Sequence, residues 1–400
     1  MTKASTSLST HSLTHPIAEA PANNKCTTVV SALTRLTTSP FKGQRGAPTY
    51  FRDVMYSMIR TQLRNLSIEQ AQYVNKPTTE VYLDFVKANK LPDVSVELGN
   101  GARAHWLGDK AAKVSLVFLH GTYRMRQHKS VQVKEINEAL LTRACTGGGY
   151  AQPMTPGHFL FFHDLIKLLN TTGSSINLVV LSYTLAPQAQ YPTQLIQASS
   201  LLTHLLTHKP ASDLIIAGDS AGGNLALGLL SHILHPHPSI PPIDLKGESL
   251  RGALLISPWV SFDTRHKSYE RNAESDLFDA VPLTLWSKAF LGTTQRQGIL
   301  LGDSYSEPLI AEPSWWKGAD QVVKEVLIWG GGGEVFIDGI NAFAEKFVEG
   351  WKMGGGAPAG VQVVERERAC HEGMIVDVLL GYKEKGPGAR DVEDFVRSKL

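Results

Sequence analysis

The chain has 400 residues, 42% of them hydrophobic, and its 39 basic and 37 acidic residues give a formal net charge of +2. This length and apolar content predict a globular chain with one large domain and a smaller appendage. Its basic residues are scattered without the stripe that a phosphate backbone requires, which argues against nucleic acid as a partner. The three cysteines, Cys26, Cys145 and Cys370, are too few and too irregularly spaced for a disulfide framework or a zinc site.

Residues 1–90 precede the alternating part of the chain. Residues 1–25 are rich in Ser and Thr and hold no apolar stretch long enough for a signal peptide or a membrane span. We therefore predict a flexible tail over residues 1–45 and a cytoplasmic protein with no stable membrane insertion. Residues 46–90 are predicted to form N-terminal cap helices, because their apolar side chains follow helical spacing at Met55, Tyr56, Met58, Ile59, Leu63 and Leu66.

Apolar strands alternate with amphipathic helices over residues 91–400, which predicts an α/β domain with a mostly parallel, eight-stranded sheet covered by helices on both faces. The predicted strands are 93–98, 102–107, 113–120, 176–183, 213–219, 252–257, 325–330 and 361–367. The clearest predicted helices are 192–206, 221–234 and 391–400. The irregular, aromatic-rich stretch 262–316 is predicted to add a second cap segment.

The most informative part of the chain is a strand, a turn and a helix around Ser220. The sequence Gly218-Asp219-Ser220-Ala221-Gly222 fits the G-x-S-x-G nucleophile elbow. Such a turn strains the serine backbone, and small residues two positions to either side let the strand and the helix pack closely. The helix then directs its first amides and its dipole at Ser220, where they can stabilise negative charge. A glycine-rich turn without chemistry is the alternative, and the coincidence of all three elements argues against it.

A nucleophilic serine needs a base and an orienting acid later in the chain. His371 follows the last predicted strand, in a loop that can carry its imidazole back over Ser220, and is the predicted general base. Two carboxylates, Glu334 and Asp338, follow the strand predicted to end at Gly330 and are the candidates for the acid.

Two other sequence patterns suggest a phosphate site and a metal site, but the neighbouring residues argue against both. Four consecutive glycines precede Glu334, but no Lys-Ser or Lys-Thr follows to meet a phosphate. Three histidines lie close together next to prolines, without nearby acids or cysteines, which predicts a solvated helix end rather than a metal site: His232, His235 and His237.

The residues resemble a known family. His120-Gly121, the elbow Gly-Asp-Ser-Ala-Gly-Gly-Asn, the run Ser182-Tyr-Thr-Leu-Ala-Pro187 and His371 look like the hormone-sensitive-lipase-like (GDXG) branch of the α/β hydrolases, fold-3 family, and in particular its fungal carboxylesterases. The resemblance covers residues 50–380. It implies an α/β-hydrolase fold with a helical cap and a serine carboxylic ester hydrolase that uses neither a metal nor an organic cofactor.

The resemblance also assigns the acid. In this family the triad acid directly follows the glycine turn, and a second acid lies four residues further on at a helix start. Glu334 is therefore the predicted triad acid, although many members have Asp there. Asp338 is the second choice, predicted to be held at a helix start by amides and the dipole.

The oxyanion loop is where the sequence departs from the family pattern. Relatives use the amides of His-Gly-Gly-Gly followed by an aromatic residue. Here His120-Gly121 is followed by Thr122, and the missing glycines come later, as Gly147-Gly148-Gly149-Tyr150. Removing residues 122–147 would restore His-Gly-Gly-Gly-Tyr at the end of its strand. The predicted oxyanion donors are the amides of Gly121, Gly148, Gly149 and Ala221.

We interpret residues 122–147 as the product of a retained intron. Gly121-Thr122-Tyr123 can be encoded by a sequence with a fungal splice donor, and Cys145-Thr146-Gly147 by one with an acceptor that keeps the frame. The alternative is a genuine insertion with an extra helix around residues 133–141. A translated segment would displace the oxyanion loop and lower activity, because one lost oxyanion donor costs about a hundred- to a thousandfold in rate.

Together these residues predict hydrolysis of a small-molecule ester through a Ser-His-Glu triad. The aromatic cap favours short acyl chains or a bulky aromatic alcohol, although the same tryptophans suit a protein core equally well. Fungal relatives that act on acetylated intermediates imply a secondary-metabolite ester. Three alternatives stay open: an acyltransferase on the same triad, a receptor, against which His371 argues, and an isoform inactivated by its interrupted oxyanion loop. The sequence does not indicate an oligomeric state.

Overall fold

A mostly parallel sheet forms the centre of the molecule. The computed structural model describes residues 22–43, 45–120, 148–292, 295–296, 299–300 and 302–400. The strands in these ranges are β1 (Ser95–Glu97), β2 (Arg103–Leu107), β3 (Val114–His120), β4 (Ile176–Ser182), β5 (Leu214–Asp219), β6 (Gly252–Ile256), β7 (Gln295–Arg296), β8 (Ile299–Leu300), β9 (Val326–Gly331) and β10 (Val361–Arg366). Within the described residues, eight of them make one sheet in the order β1-β2-β4-β3-β5-β6-β9-β10, while β7 and β8 form a hairpin.

Strand β2 is antiparallel to both β1 and β4, and the remaining pairs in the sheet are parallel. The central strands are buried on both faces, so their sequences are nearly continuous apolar runs. In β3, Val117 and Leu119 belong to one core cluster, whereas Leu116 and Phe118 belong to the cluster on the opposite face. This architecture confirms the predicted fold class, and each predicted strand overlaps an observed one.

Helices cover both faces of the sheet. The α-helices of the described chain are α1 (Ala22–Thr38), α2 (Tyr50–Asn65), α3 (Ile68–Val74), α4 (Thr78–Ala88), α5 (Pro156–Thr171), α6 (Thr193–Leu206), α7 (Ala221–Leu234), α8 (Ser268–Arg271), α9 (Ala280–Leu291), α10 (Ala319–Val322), α11 (Ile337–Met353), α12 (Gly373–Leu379) and α13 (Pro387–Ser398). Short 3-10 turns lie at Ser39–Phe41, Ala211–Asp213, Pro308–Ile310, Pro313–Trp316 and Pro358–Gly360. The final helix begins four residues before its predicted start, at Pro387, whose fixed φ suits the first turn.

The prediction of a flexible tail over residues 1–45 is wrong for the part that the structure describes. Residues Ala22–Thr38 form helix α1, which packs along α2. Asp53 of α2 is fully buried and accepts hydrogen bonds from Arg35 of α1 at 2.6 and 3.1 Å. Lys42 adds a second cation 2.7 Å from the same carboxylate. A buried carboxylate requires such partners, and they fix α1 to the cap. Residues 1–21 lie outside the described residues.

The predicted cap segments contribute buried side chains to the core. Trp286 and Phe290 of α9 are buried. Trp316 packs against Phe343 and Phe347 of α11 and belongs to the same core cluster as Trp286 and Phe290. The buried aromatic residues of 262–316 are therefore core residues. No helix in the described ranges has the length and apolarity needed to cross a membrane.

Candidate active site

The elbow at Ser220 has the strained backbone that its sequence predicts. Ser220 joins β5 to α7 with φ 50° and ψ −118°, a conformation that costs a non-glycine residue about 1–3 kcal/mol. Its N–H donates to the carbonyl of Ile256 at 3.0 Å, which ties the turn to the end of β6. Added Cβ atoms at Gly218 or Gly222 would overlap backbone atoms, those of Gly222 and Leu119 respectively. These contacts explain why both flanking positions are glycine.

His371 and Glu334 meet through a short, buried hydrogen bond. Nδ1 of His371 lies 2.7 Å from Oε2 of Glu334, and neither side chain is exposed. The other carboxylate oxygen of Glu334 accepts from Ser257 Oγ at 3.0 Å and from the N–H of Gly331 at 2.5 Å. The carboxylate is therefore oriented from both sides and can hold the imidazole with Nε2 pointing away from Glu334.

Asp338, the second choice for the acid, faces a different group. Its carboxylate accepts from Arg271 Nη2 at 2.6 Å and from the N–H of Ser268 at 2.8 Å, and its side chain is 30% exposed. Asp338 lies in the first turn of α11, where an acid interacts favourably with the helix dipole. The structure thus brings Glu334, and not Asp338, to His371.

Asp276 is a third buried acid near His371, and sequence reasoning missed it. Its carboxylate accepts from the backbone N–H groups of Leu277, Val335 and His371 at 2.7–3.0 Å. Burial raises the pKa of Asp276 to about 6, and the Glu334 carboxylate adds to this effect while His371 opposes it. Asp276 bonds only to the backbone of His371, so it anchors the loop rather than the ring. No local motif marks this role.

The acid of the elbow, Asp219, lies between two histidines. Its oxygens are 2.7 Å from Nδ1 of His120, at the end of β3, and 2.6 Å from Nε2 of His158, on α5. Burial alone would raise the pKa of Asp219, but these two partners hold it well below its usual range. Burial alone would lower the pKa of His158, whereas Asp219 and Glu372 raise it to about 9.

These three side chains also form a group that could in principle hold a metal ion, since their ligand atoms lie within 4.8 Å of one another. However, His120 and His158 each direct a nitrogen at a separate oxygen of Asp219, which is hydrogen-bond geometry. His232 and His235 direct Nε2 at backbone carbonyls, of Pro241 and Trp315. Hydrogen bonds therefore account for both histidine groups.

Gly148 and Gly149, called the glycine loop below, lie next to the end of β3 although 27 residues separate Gly148 from His120 in sequence. A Cβ placed on Gly148 would lie 3.4 Å from the ring of His120, and Gly149 adopts a positive φ of 47° directly against the indole of Trp286. Tyr150 donates from its hydroxyl to Oδ1 of Asn224 on α7 at 2.6 Å, which joins the loop to the helix after Ser220. Gly121 and residues 122–147, together with the helix predicted around 133–141, lie outside the described residues. The predicted donors Gly148, Gly149 and Ala221 are within them.

Aromatic side chains surround the imidazole and the glycine loop. The rings of Phe278 and Phe336 stand edge-on to His371, with centroids 4.7 and 5.0 Å away. Tyr150 stacks on Phe290 of α9 at 3.8 Å. These rings place the His371–Glu334 pair in an apolar environment, in which charges interact more strongly than in water.

The nucleophile and the predicted base share the carboxyl edge of the sheet but are not hydrogen-bonded. Ser220 is bonded to the end of β6, and Ser257, the next residue after β6, is bonded to Glu334. Nε2 of His371 has no hydrogen-bond partner among the described residues, and a Glu372 carboxylate oxygen lies 3.2 Å from it. Catalytic hydrogen bonds are often long or absent until substrate binds. Sequence reasoning missed Glu372 and His158, although Glu372 directly follows the predicted base.

A comparison with protein families identifies the class. The model of the alpha/beta hydrolase fold family matches residues 147–371, more than half of the chain. The chain therefore belongs to the alpha/beta hydrolase fold family. The match begins at Gly147, the last residue of the segment 122–147, so it includes the elbow and both residues of the histidine-glutamate pair.

Individual relatives agree with this class. A fungal esterase from Rhizomucor miehei superposes with a TM-score of 0.60 at 17% identity, covering 89% of this chain and 97% of that one. A bacterial esterase of the hormone-sensitive lipase family gives a TM-score of 0.58 at 18% identity over 88% and 99% of the two chains. At such identities the likeness shows the fold.

In sequence, the chain is similar to steryl acetyl hydrolase 1 of Saccharomyces cerevisiae, with 26% identity over 121 residues. This segment makes up 30% of the present chain and spans 27% of the length of the yeast protein. The family match confirms the predicted α/β-hydrolase relationship, and the names of these relatives, all esterases or hydrolases, agree with the predicted class of carboxylic ester hydrolase.

Proposed function

We propose that the protein hydrolyses carboxylic esters with Ser220 as nucleophile, His371 as general base and Glu334 as the orienting acid. The observation that carries this proposal is the buried 2.7 Å hydrogen bond between His371 and Glu334 at the sheet edge that also holds the strained Ser220. A pair of this kind fixes the ring tautomer and leaves Nε2 available for the serine proton. Family membership supports the same chemistry.

The proposed reaction has two steps. Ser220 Oγ attacks the ester carbonyl carbon while its proton passes to Nε2 of His371, and the resulting oxyanion is held by backbone amides. The bond to the alcohol then breaks, and the imidazolium returns its proton to the leaving oxygen. In the second step His371 takes a proton from water as the water attacks the acyl-enzyme, and Ser220 is released with the acid.

The oxyanion is proposed to contact the amide of Ala221 and those of the glycine loop. Ala221 is the first residue of α7, so its amide and the helix dipole favour negative charge at Ser220. The position of Gly148 beside the His120 ring supports a loop that approaches the elbow as His-Gly-Gly-Gly would. Gly121 completes the predicted set.

For the substrate, we propose a short acyl group on a bulky hydrophobic alcohol. The yeast relative is named for the hydrolysis of steryl acetates, and aromatic rings close to His371 and the glycine loop offer apolar contacts to such an alcohol. An acetylated secondary metabolite has the same chemistry: a small acyl group and a large, rigid, apolar leaving group.

The decisive experiment measures hydrolysis of p-nitrophenyl esters of graded chain length by the full chain and by Ser220→Ala. We expect the substitution to lower kcat by at least roughly a thousandfold. Ser239→Ala, which alters an exposed serine, is the matched control and is expected to keep the parental rate. Equal rates for Ser220→Ala and the parent would refute the nucleophile. Added alcohols distinguish an acyltransferase, because they would divert the acyl group from water into a new ester.

The same assay tests the interpretation of residues 122–147. A chain without them is expected to be faster than the full chain by about a hundred- to a thousandfold, the effect of restoring an oxyanion donor. A full chain that is equally active would show instead that the segment is a genuine insertion compatible with catalysis.

A further inference from the structure

Glu372 is a buried carboxylate beside the general base that the proposed reaction does not use. The residue is fully buried, and its two oxygens lie 3.2 Å from Nε2 of His371 and 3.6 Å from Nε2 of His158. Neither oxygen has a hydrogen-bond partner among the described residues. The backbone of Glu372 has a positive φ of 50°, and its N–H donates to Ser257 Oγ at 3.3 Å. This anchored backbone directs the carboxylate inward.

A carboxylate without hydrogen bonds is costly in a protein interior unless opposite charges compensate it. The groups available to Glu372 are the two imidazoles, which together with Asp219 form one buried cluster. Charge pairing with histidine is therefore the interaction that holds Glu372 in place.

One of these imidazole nitrogens is the atom on which the proposed reaction depends. Nε2 of His371 must receive the proton of Ser220, yet in this structure it faces Glu372. With Glu334 on Nδ1, both ring nitrogens of His371 face carboxylates. Such an environment favours the imidazolium, which cannot accept a proton.

His158 is a second interaction partner for the Glu372 carboxylate. Its ring is fixed by Thr155 Oγ1, 2.7 Å from Nδ1, and by Asp219, 2.6 Å from Nε2. The carboxylate of Glu372 lies 3.2 Å from one imidazole and 3.6 Å from the other, so these two rings are the alternative partners between which it can shift.

We propose that Glu372 is a positioning residue that competes with Ser220 for Nε2 of His371, holding the ring in the free enzyme and moving toward His158 when Ser220 engages the ring. This proposal rests on the proposed function, because it assumes that His371 is the base for Ser220. It makes Glu372 a gate on the general base rather than a group that touches the reacting atoms.

The charges around His371 determine the sign of the expected effect. Burial alone would lower the pKa of His371, but Glu372 and Glu334 raise it well above its usual value. Asp276 faces the backbone of the same loop, and Phe278 and Phe336 present only rings. On the far side of Glu372 lie Asp219, which opposes its ionisation, and His158, which favours it. Activity of the free enzyme should therefore rise with pH as His371 loses its proton.

The kinetic test compares the pH dependence of kcat/KM for the parent and for Glu372→Gln. Removing the charge beside Nε2 should move the acid limb of the profile to lower pH by about one unit or more, since an adjacent opposite charge shifts a pKa by roughly 1–3 units. Glu367→Gln removes an equal charge from an exposed position five residues earlier and should leave the limb in place. An unshifted limb in Glu372→Gln would overturn the proposal.

A second measurement uses the intact full chain, requires no turnover and does not depend on the stability of Glu372→Gln. In protein labelled with ¹⁵N-histidine, NMR reports the protonation of both ring nitrogens, and the signals absent from His371→Gln identify the residue. We expect His371 of the parent to be doubly protonated at neutral pH. A neutral ring under these conditions would refute the Glu372 contact.

These outcomes can be separated from a failure of the proposed function. If Ser220→Ala hydrolysed esters at the parental rate, the assignment of Ser220 as nucleophile would be refuted, but the NMR signals of His371 would be unchanged. Conversely, a neutral His371 together with an inactive Ser220→Ala would support the proposed ester hydrolysis and refute the proposed role of Glu372.

Discussion

The nucleophile elbow and the histidine cluster lie at the same edge of the sheet, yet they are built in different ways. The elbow comes from five consecutive residues whose packing depends on two glycines. The cluster brings together side chains from distant parts of the chain: His158, Asp219, Ser257, Asp276, Glu334, His371 and Glu372. A local motif can therefore specify the nucleophile, while the protonation state of the base depends on contacts that only the folded chain creates.

The largest effect on activity should come from a substitution of Glu334, the acid of the histidine cluster. Glu334→Gln keeps the shape of the side chain but removes the charge that supports the imidazolium, so kcat should fall by roughly a thousandfold to ten-thousandfold. Asp338→Asn is the matched control four residues away and should stay within about threefold of the parent, since its carboxylate serves Arg271. Comparable losses in the two variants of a p-nitrophenyl ester assay would show that the acid is wrongly assigned.

The nucleophile elbow should be destabilised by added side-chain volume alone. Gly222→Ala adds a Cβ that would overlap the carbonyl oxygen of Leu119, so we expect a loss of about 3 kcal/mol or more in the free energy of unfolding. Gly339 lies within helix α11, and in Gly339→Ala the new methyl group would lie 3.8 Å from its nearest neighbours, His266 and Val260, so stability should rise by up to about 1 kcal/mol. Urea denaturation measures both. If Gly222→Ala were as stable as its parent, close packing would not be the reason for glycine at the elbow.

The smallest effect concerns the joint between the glycine loop and the helix that follows the nucleophile. Tyr150→Phe removes the hydroxyl bonded to Asn224 and leaves a buried amide oxygen without its donor, at a cost of about 1–3 kcal/mol. Tyr183→Phe is the natural comparison, because the Tyr183 hydroxyl is buried without a partner among the described residues. Thermal unfolding should rank Tyr150→Phe below Tyr183→Phe, and the reverse order would contradict a structural role for this hydrogen bond.

The parts of the fold that the sequence predicted are those with local causes. Parallel strands buried on both faces leave apolar runs, which is why all eight predicted strands overlap observed ones. Helix α1 was missed because its Thr-rich sequence has low intrinsic helix propensity, and the ion pair of Arg35 with Asp53 that fixes it joins residues 18 positions apart.

The site divides in the same way. The choice of Glu334 over Asp338 rested on resemblance, and the geometry pairs Glu334 with His371. Glu372 and His158 carried no signal, because their contact spans 214 positions and its meaning depends on burial. Asp276 was equally silent, since it binds backbone amides, and any residue type can supply these. The catalytic assignments themselves remain predictions that the substitutions above would test.

The close fit of Gly222 against Leu119 and His120 has a consequence for the length of the chain between His120 and Gly148. The end of β3 is fixed against the elbow, and Gly148 returns to within contact of the His120 ring. Because the two ends of this connection lie close together, the entropy cost of closing it grows with the logarithm of its length, by about 0.6 kcal/mol for each doubling. Lengthening the connection by 26 residues should therefore cost roughly 2–3 kcal/mol, so a long and a short version of the protein are expected to differ in stability as well as in reaction rate.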